Sequence, residues 1–100
     1  MAEHHPNRDT ANRHRKALLI AHLAGPTTAD RAAERAGLHI VDAAYTTRLW
    51  EIERAGYLVR TGLRVKSMIG HNRMVRELTE EGRELALALL TDPRMPWPRR

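Results

Sequence analysis

The residues best suited to chemistry in this sequence are its arginines. Of 17 basic residues among 100, 15 are Arg; set against 12 acids they give a formal net charge of +5 and a pI of about 10.7. A planar guanidinium donates paired hydrogen bonds to phosphate oxygens or to the edge of guanine, so an arginine excess favours polyanion partners. The cations are also clustered. Between Arg60 and Arg76 the chain carries Arg60, Arg64, Lys66, Arg73 and Arg76 with no acid among them, and His71 and Asn72 fall in the same stretch. Ala43, Thr46, Thr47 and Arg48 form a second group that offers hydroxyls, methyl groups and one guanidinium, the chemistry that reads base edges. Arg13, Arg15 and Lys16 make a third group, suited to phosphate. An ordinary solvated charged face would carry the same residue types, so spacing must be judged with the elements that hold them.

Other chemistries are poorly served. There is no cysteine, hence no disulfide, thiolate nucleophile or cysteine-ligated metal. His4, His5, His14, His22, His39 and His71 show neither zinc-ligand spacing nor an acidic companion set, and no metal or cofactor is expected. His22, on an apolar stretch, reads as a core or edge histidine. No phosphate loop, nucleophile elbow or close carboxylate pair is present, so the chain is not expected to be an enzyme. The N-terminus lacks a secretory apolar region, and the longest apolar run, 17–24, contains His22 and is too short for a bilayer. A cytoplasmic, nucleoid-associated protein without a membrane partner is expected.

One domain fits this length. Residues 1–9 read as a flexible tail, 10–91 as the folded domain and 92–100, with three of the five prolines, as a second flexible tail. The first helix is expected from Asp9 or Thr10 to Ala24, ended by Gly25-Pro26. Thr28 can cap a short helix closed at Gly37, and Asp42 a longer one closed at Gly56. Tyr45, Leu49 and Ile52 recur at i, i+4 and i+7 and predict a buried face over 42–54. From Leu58 the period changes: Leu63-Arg64-Val65-Lys66 alternates like a half-buried strand, Gly70-His71-Asn72 supplies a turn, and Arg73–Leu78 returns. Thr79 then caps a last helix with Glu80 and Glu81 in its first turn. The fold class is α+β, mainly helical: a three-helix core, a β-hairpin and a C-terminal helix.

That order, together with Ala33-Glu34-Arg35-Ala36-Gly37-Leu38, Ile52-Glu53-Arg54-Ala55-Gly56-Tyr57-Leu58-Val59 and Leu78-Thr79-Glu80-Glu81-Gly82-Arg83, resembles the winged helix-turn-helix of MarR-like bacterial regulators. The resemblance spans residues 10–91. It implies that helix 42–54 enters the major groove and that the hairpin, 58–78, contacts backbone or minor groove. The segment after Leu38 is about two residues longer than the family pattern, and the wing is longer by several. The family's additional dimer and effector helices do not fit in this length, so a small-molecule effector is not expected.

The sequence thus points to a sequence-specific double-stranded DNA-binding regulator of bacterial or phage type, repressing by operator occupancy. A homodimer would double the base contacts, with Leu85, Leu89 and Leu90 of the last helix and helix 1 as its surface. Two alternatives stand beside it. One is a winged-helix protein-interaction module, a phage- or plasmid-type accessory factor using the apolar wing residues or Trp50. The other is a non-specific architectural DNA binder, which needs the phosphate contacts but not the threonines.

Overall fold

A computed structural model of the chain describes residues 6–38, 44–66 and 70–99. The first helix, α1 (Pro6–Ala21), begins earlier than expected. Proline is well suited to a first turn, whose N–H groups lack intrahelical partners in any case, and Asp9 then complements the helix dipole rather than opening the helix. The helix tightens into a 3₁₀ turn, His22–Ala24, which Gly25 closes by donating to His22 O at 3.1 Å.

The second helix, α2 (Ala29–Arg35), follows Thr28, whose backbone is extended as a cap residue's should be. Its hydroxyl, however, donates to Asp30 Oδ1 at 2.6 Å and makes no cap bond. The third helix, α3 (Ala44–Arg54), ends as α2 does. Leu38 N–H donates to Ala33 O at 2.8 Å and Tyr57 N–H to Ile52 O at 3.2 Å, the six-residue closure that a glycine after the helix permits. The expected cap Asp42 lies outside the described residues.

Tyr45, Leu49 and Ile52 are buried as their spacing predicts, against Leu18 and Leu19 of α1, Ala32 and Ala33 of α2, and Tyr57 and Leu58. Leu18, Leu19, Leu49 and Ile52 are wholly buried. Each such aliphatic side chain contributes about 1.5–3 kcal/mol by leaving water. The alanines of α2 keep the helices close enough to share one core.

The wing pairs β1 (Leu58–Lys66) with β2 (Asn72–Leu78) in antiparallel register. Leu58 faces Leu78 and Arg60 faces Arg76, but Arg64 faces Met74, so β1 carries two extra residues at that point. Gly62 accommodates the bulge with φ of 87°, a conformation side chains disfavour. Thr61 Oγ1 donates to Val75 O and accepts from Leu63 N–H, both at 3.1 Å, which satisfies backbone groups the bulge leaves unpaired. On the far edge of β2, Thr27 and Arg76 exchange both backbone hydrogen bonds, at 3.0 and 2.9 Å. The half-buried strand expected from the alternation is not found: past Leu58, β1 is exposed except for half-buried Thr61. Leu63 is 63% exposed, because the hairpin projects beyond the core that would cover it.

Thr79 joins the wing to the last helix, α4 (Glu80–Thr91). Its hydroxyl caps α4 by accepting from Gly82 N–H at 3.0 Å and donates to Gly56 O at 2.6 Å, while its N–H donates to Tyr57 O at 3.1 Å. Gly82 is buried so tightly here that a β-carbon would lie 1.9 Å from Tyr57 O. Along α4, Leu89 is fully buried and Leu85 packs on the core, so Leu89 belongs to the monomer interior and not to a dimer surface. Leu87 and Leu90 are the exposed leucines. Residues 92–99 form neither helix nor strand, and Met95 and Trp97 pack against the core. Trp97 meets Tyr57 edge to face, with ring centroids 5.7 Å apart.

Candidate nucleic-acid interface

Because α3 buries Tyr45, Leu49 and Ile52, it turns Thr46, Thr47, Trp50 and Arg54 outward, and all four are exposed. Ala43 lies outside the described residues. Arg48 does not share the outward face. Its Nε lies 3.0 Å from Glu51 Oε1, and Arg15 of α1 reaches the same oxygen at 3.0 Å while also donating to Asn12. The sequence suggests a phosphate for Arg15 and a base edge or phosphate for Arg48; in the structure both guanidinium groups lie on Glu51 between α1 and α3.

A second carboxylate acts likewise on the wing. Arg60 and Arg76 converge on Glu53, at 3.0 and 2.9 Å. Arg76 is only 5% exposed, so it braces the wing against α3 and leaves the set available to a ligand. Burial alone would raise the Glu53 carboxyl, but the hydrogen bonds and charges of Arg76 and Arg60 outweigh it and hold the group below the usual range.

Arg64, Lys66, His71 and Asn72 remain outward. Strand alternation puts Arg60, Arg64 and Lys66 on one face with Asn72, Met74 and Arg76. Between this wing, α3 and the start of α2 lies a cleft of about 170 Å³, lined by Ala29, Thr46, Arg64, Asn72, Arg73, Met74 and Arg76, with no carboxylate. The Nε of Arg73 is buried without a hydrogen-bond partner. Lys66, His71 and Asn72 are exposed. Among the described residues no ion pair engages Arg64, Lys66 or Arg73. The fold therefore brings one threonine of α3 together with five wing residues that are far from it in sequence.

The helix 1 group is not brought there. Arg13 is exposed and Lys16 Nζ approaches Pro93 O at 3.5 Å. Both line a separate apolar cavity of about 600 Å³ with Ala17, Ile20, Leu90 and Trp97. His22 is buried, and its Nδ1–H donates to Leu18 O at 2.8 Å. Burial depresses its pKa; the Leu18 bond opposes that effect, and the charges of Arg76 and Arg35 add to it. Among the described residues no three His, Asp or Glu side chains come together as a metal site. Nor is any helix of the described residues long and apolar enough to cross a membrane.

Sequence reasoning missed Glu51 and Glu53. The Glu51–Arg48 contact is legible as an i, i+3 pair, but Glu53 meets a strand residue 23 positions away, which no local pattern announces. Arg54 was missed as well, although its guanidinium lies 4.7 Å from the centre of the Trp50 ring.

A two-stranded wing between a helix-turn-helix and a closing helix defines the winged helix-turn-helix class. Solved structures with the same fold include regulators of the MarR type. Lactococcus lactis ZitR, a zinc-responsive MarR family member, superimposes with a TM-score of 0.57 at 18% identity, covering 78% of this chain and 50% of its own. Sulfolobus solfataricus BldR, a transcriptional regulator, gives 0.57 at 20%, covering 81% and 54%. Streptococcus pyogenes AdcR, the adhesin competence repressor, gives 0.58 at 17%, covering 78% and 54%. The chain thus spans about half the length of these proteins, and at such identities the likeness is one of fold. No protein-family model and no curated protein matches the sequence.

Proposed function

We propose that this chain is a double-stranded DNA-binding transcriptional regulator of the cytoplasm that represses by occupying an operator. The observation that carries the proposal is the acid-free cleft in which Thr46 of α3 meets Arg64, Asn72 and Arg73 of the wing. A duplex laid across it puts Thr46 and Thr47 at major-groove edges. Arg64, Lys66, Arg73, His71 and Asn72 then take the phosphates or the minor groove. Arg48, Arg15 and Arg60 add to this only by leaving their glutamates. A second copy joins through exposed Leu87 and Leu90 with the partly buried Ile20 and Leu23, doubling the base contacts on a two-fold site.

A second reading has one observation in its favour. Leu63 and Val65, 63% and 45% exposed, put aliphatic surface on a wing that phosphate contacts alone do not require, as docking to a protein would. A salt series by fluorescence anisotropy separates the readings, using a random duplex and a duplex from upstream of the chain's own coding region. The regulator weakens steeply with salt and holds the upstream duplex more tightly. Equal salt-sensitive binding to both means an architectural binder. Absence of binding at low salt overturns the DNA reading in favour of the protein dock.

A further inference from the structure

The exposed line on α3 does not stop at the threonines. Residues four apart are offset by about 40° around a helix, so Thr46, Trp50 and Arg54 follow one another along a single face with a rise of about 12 Å. That length covers roughly three base-pair steps of a duplex. Trp50 is 46% exposed although the buried stripe of the same helix passes beside it, and the Arg54 guanidinium covers its ring from 4.7 Å. A large flat apolar side chain left outward, with a cation stacked on it, is a surface prepared for a partner that is planar, apolar in places and anionic.

The flanks of the line agree with that. Two carboxylates border it, Glu51 and Glu53, and either would repel a phosphate backbone if bare. Each instead holds two arginines. Compensation therefore extends over the C-terminal half of α3, where the threonines do not reach.

We propose that Trp50, with Arg54 stacked on it, is a specificity-determining element of the DNA interface. The indole packs on a thymine C5 methyl group and the adjoining deoxyribose, and Arg54 turns its outer N–H groups to the next phosphate. The inference rests on the DNA reading above and extends it to a base position beyond those of Thr46 and Thr47.

The test uses the full chain. A preferred duplex is selected from a random pool by the wild-type protein, and binding of that duplex and of an unselected one is compared for wild type, Trp50→Ala and Trp50→Phe. The selected duplex is also made with deoxyuridine in place of individual thymines, which removes only the methyl group. At one thymine, uracil weakens wild type, and Trp50→Ala loses about tenfold of the preference for the selected duplex and becomes indifferent to that methyl. Trp50→Phe, which keeps a flat apolar face, retains part of both. Equal preference in wild type and Trp50→Ala, or a uracil effect of the same size in both, overturns the proposal while leaving the DNA reading intact. So does a wild type that selects no sequence. A wild type that binds no duplex removes the DNA reading and this one with it.

Discussion

Glu51 and Glu53 lie two residues apart on α3, and each gathers two arginines from different parts of the chain. The consequence for Arg76 is that a residue counted from sequence as a ligand for phosphate is a brace. Its partner belongs to another element, so strand alternation and charge density could not reveal it. His22 sits near the same arginine, buried and neutral. Its folded pKa lies below the ordinary 6.5, so the unfolded chain takes up a proton first as pH falls. Stability is therefore whole above about pH 6.5 and is lost as pH drops toward the folded value. Glu53, held below its ordinary 4.5, adds a second loss beneath that pH. Urea midpoints at pH 7.5, 5.5 and 4.0 should fall in that order. In His22→Asn, which retains a donor toward Leu18 O, the step from 7.5 to 5.5 should flatten. A wild-type midpoint that does not move across that step would show that the ring is not excluding a proton.

The elements were legible where a local signal has only one use. The i, i+4, i+7 spacing of Tyr45, Leu49 and Ile52 fixed the buried face of α3, and the glycines at 37 and 56 marked two helix ends. Alternation in β1 misled because period 2 reports a pleat and not a cover: Leu63 and Val65 alternate correctly with Arg64 and Lys66 but have no core to meet. Residues 92–99 carry no periodicity at all, so only three dimensions disclose Trp97 on Tyr57. The Thr79-Glu80-Glu81-Gly82 stretch was legible as a cap, whereas its role as a joint with Gly56 and Tyr57 was not. That joint yields a prediction. Gly82→Ala forces a methyl group into Tyr57 O and should lower stability by about 2 kcal/mol or more. Thr79→Ala, which removes a cap without creating a clash, should cost about 1 kcal/mol. Chemical denaturation followed by circular dichroism measures both, and a Gly82→Ala variant as stable as wild type would mean that α4 does not approach the turn so closely.

Across the whole molecule, the net charge of +5 overstates and misplaces the surface open to an anion. Four arginines, at 15, 48, 60 and 76, are turned to glutamates, while the wing cations Arg64, Lys66 and Arg73 are in no ion pair among the described residues. Salt dependence of duplex binding should follow that division. Arg64→Gln combined with Lys66→Gln should reduce the slope of log K against log salt by roughly 2, and Arg60→Gln should change it far less. A reduction of about 1 from Arg60→Gln, the share of one full phosphate contact, would mean that Glu53 releases Arg60 when DNA arrives. The base of the wing has a different kind of consequence. Leu58 pairs with Leu78, and Thr79 is tied to Gly56 and Tyr57, so the hairpin leaves the core and returns to it at one fastened point. A segment fastened at its neck can be exchanged as a cassette. Changes within 63–74, outside buried Val75 and the Thr61–Val75 hydrogen bond, should alter what the protein touches while leaving the core packing in place.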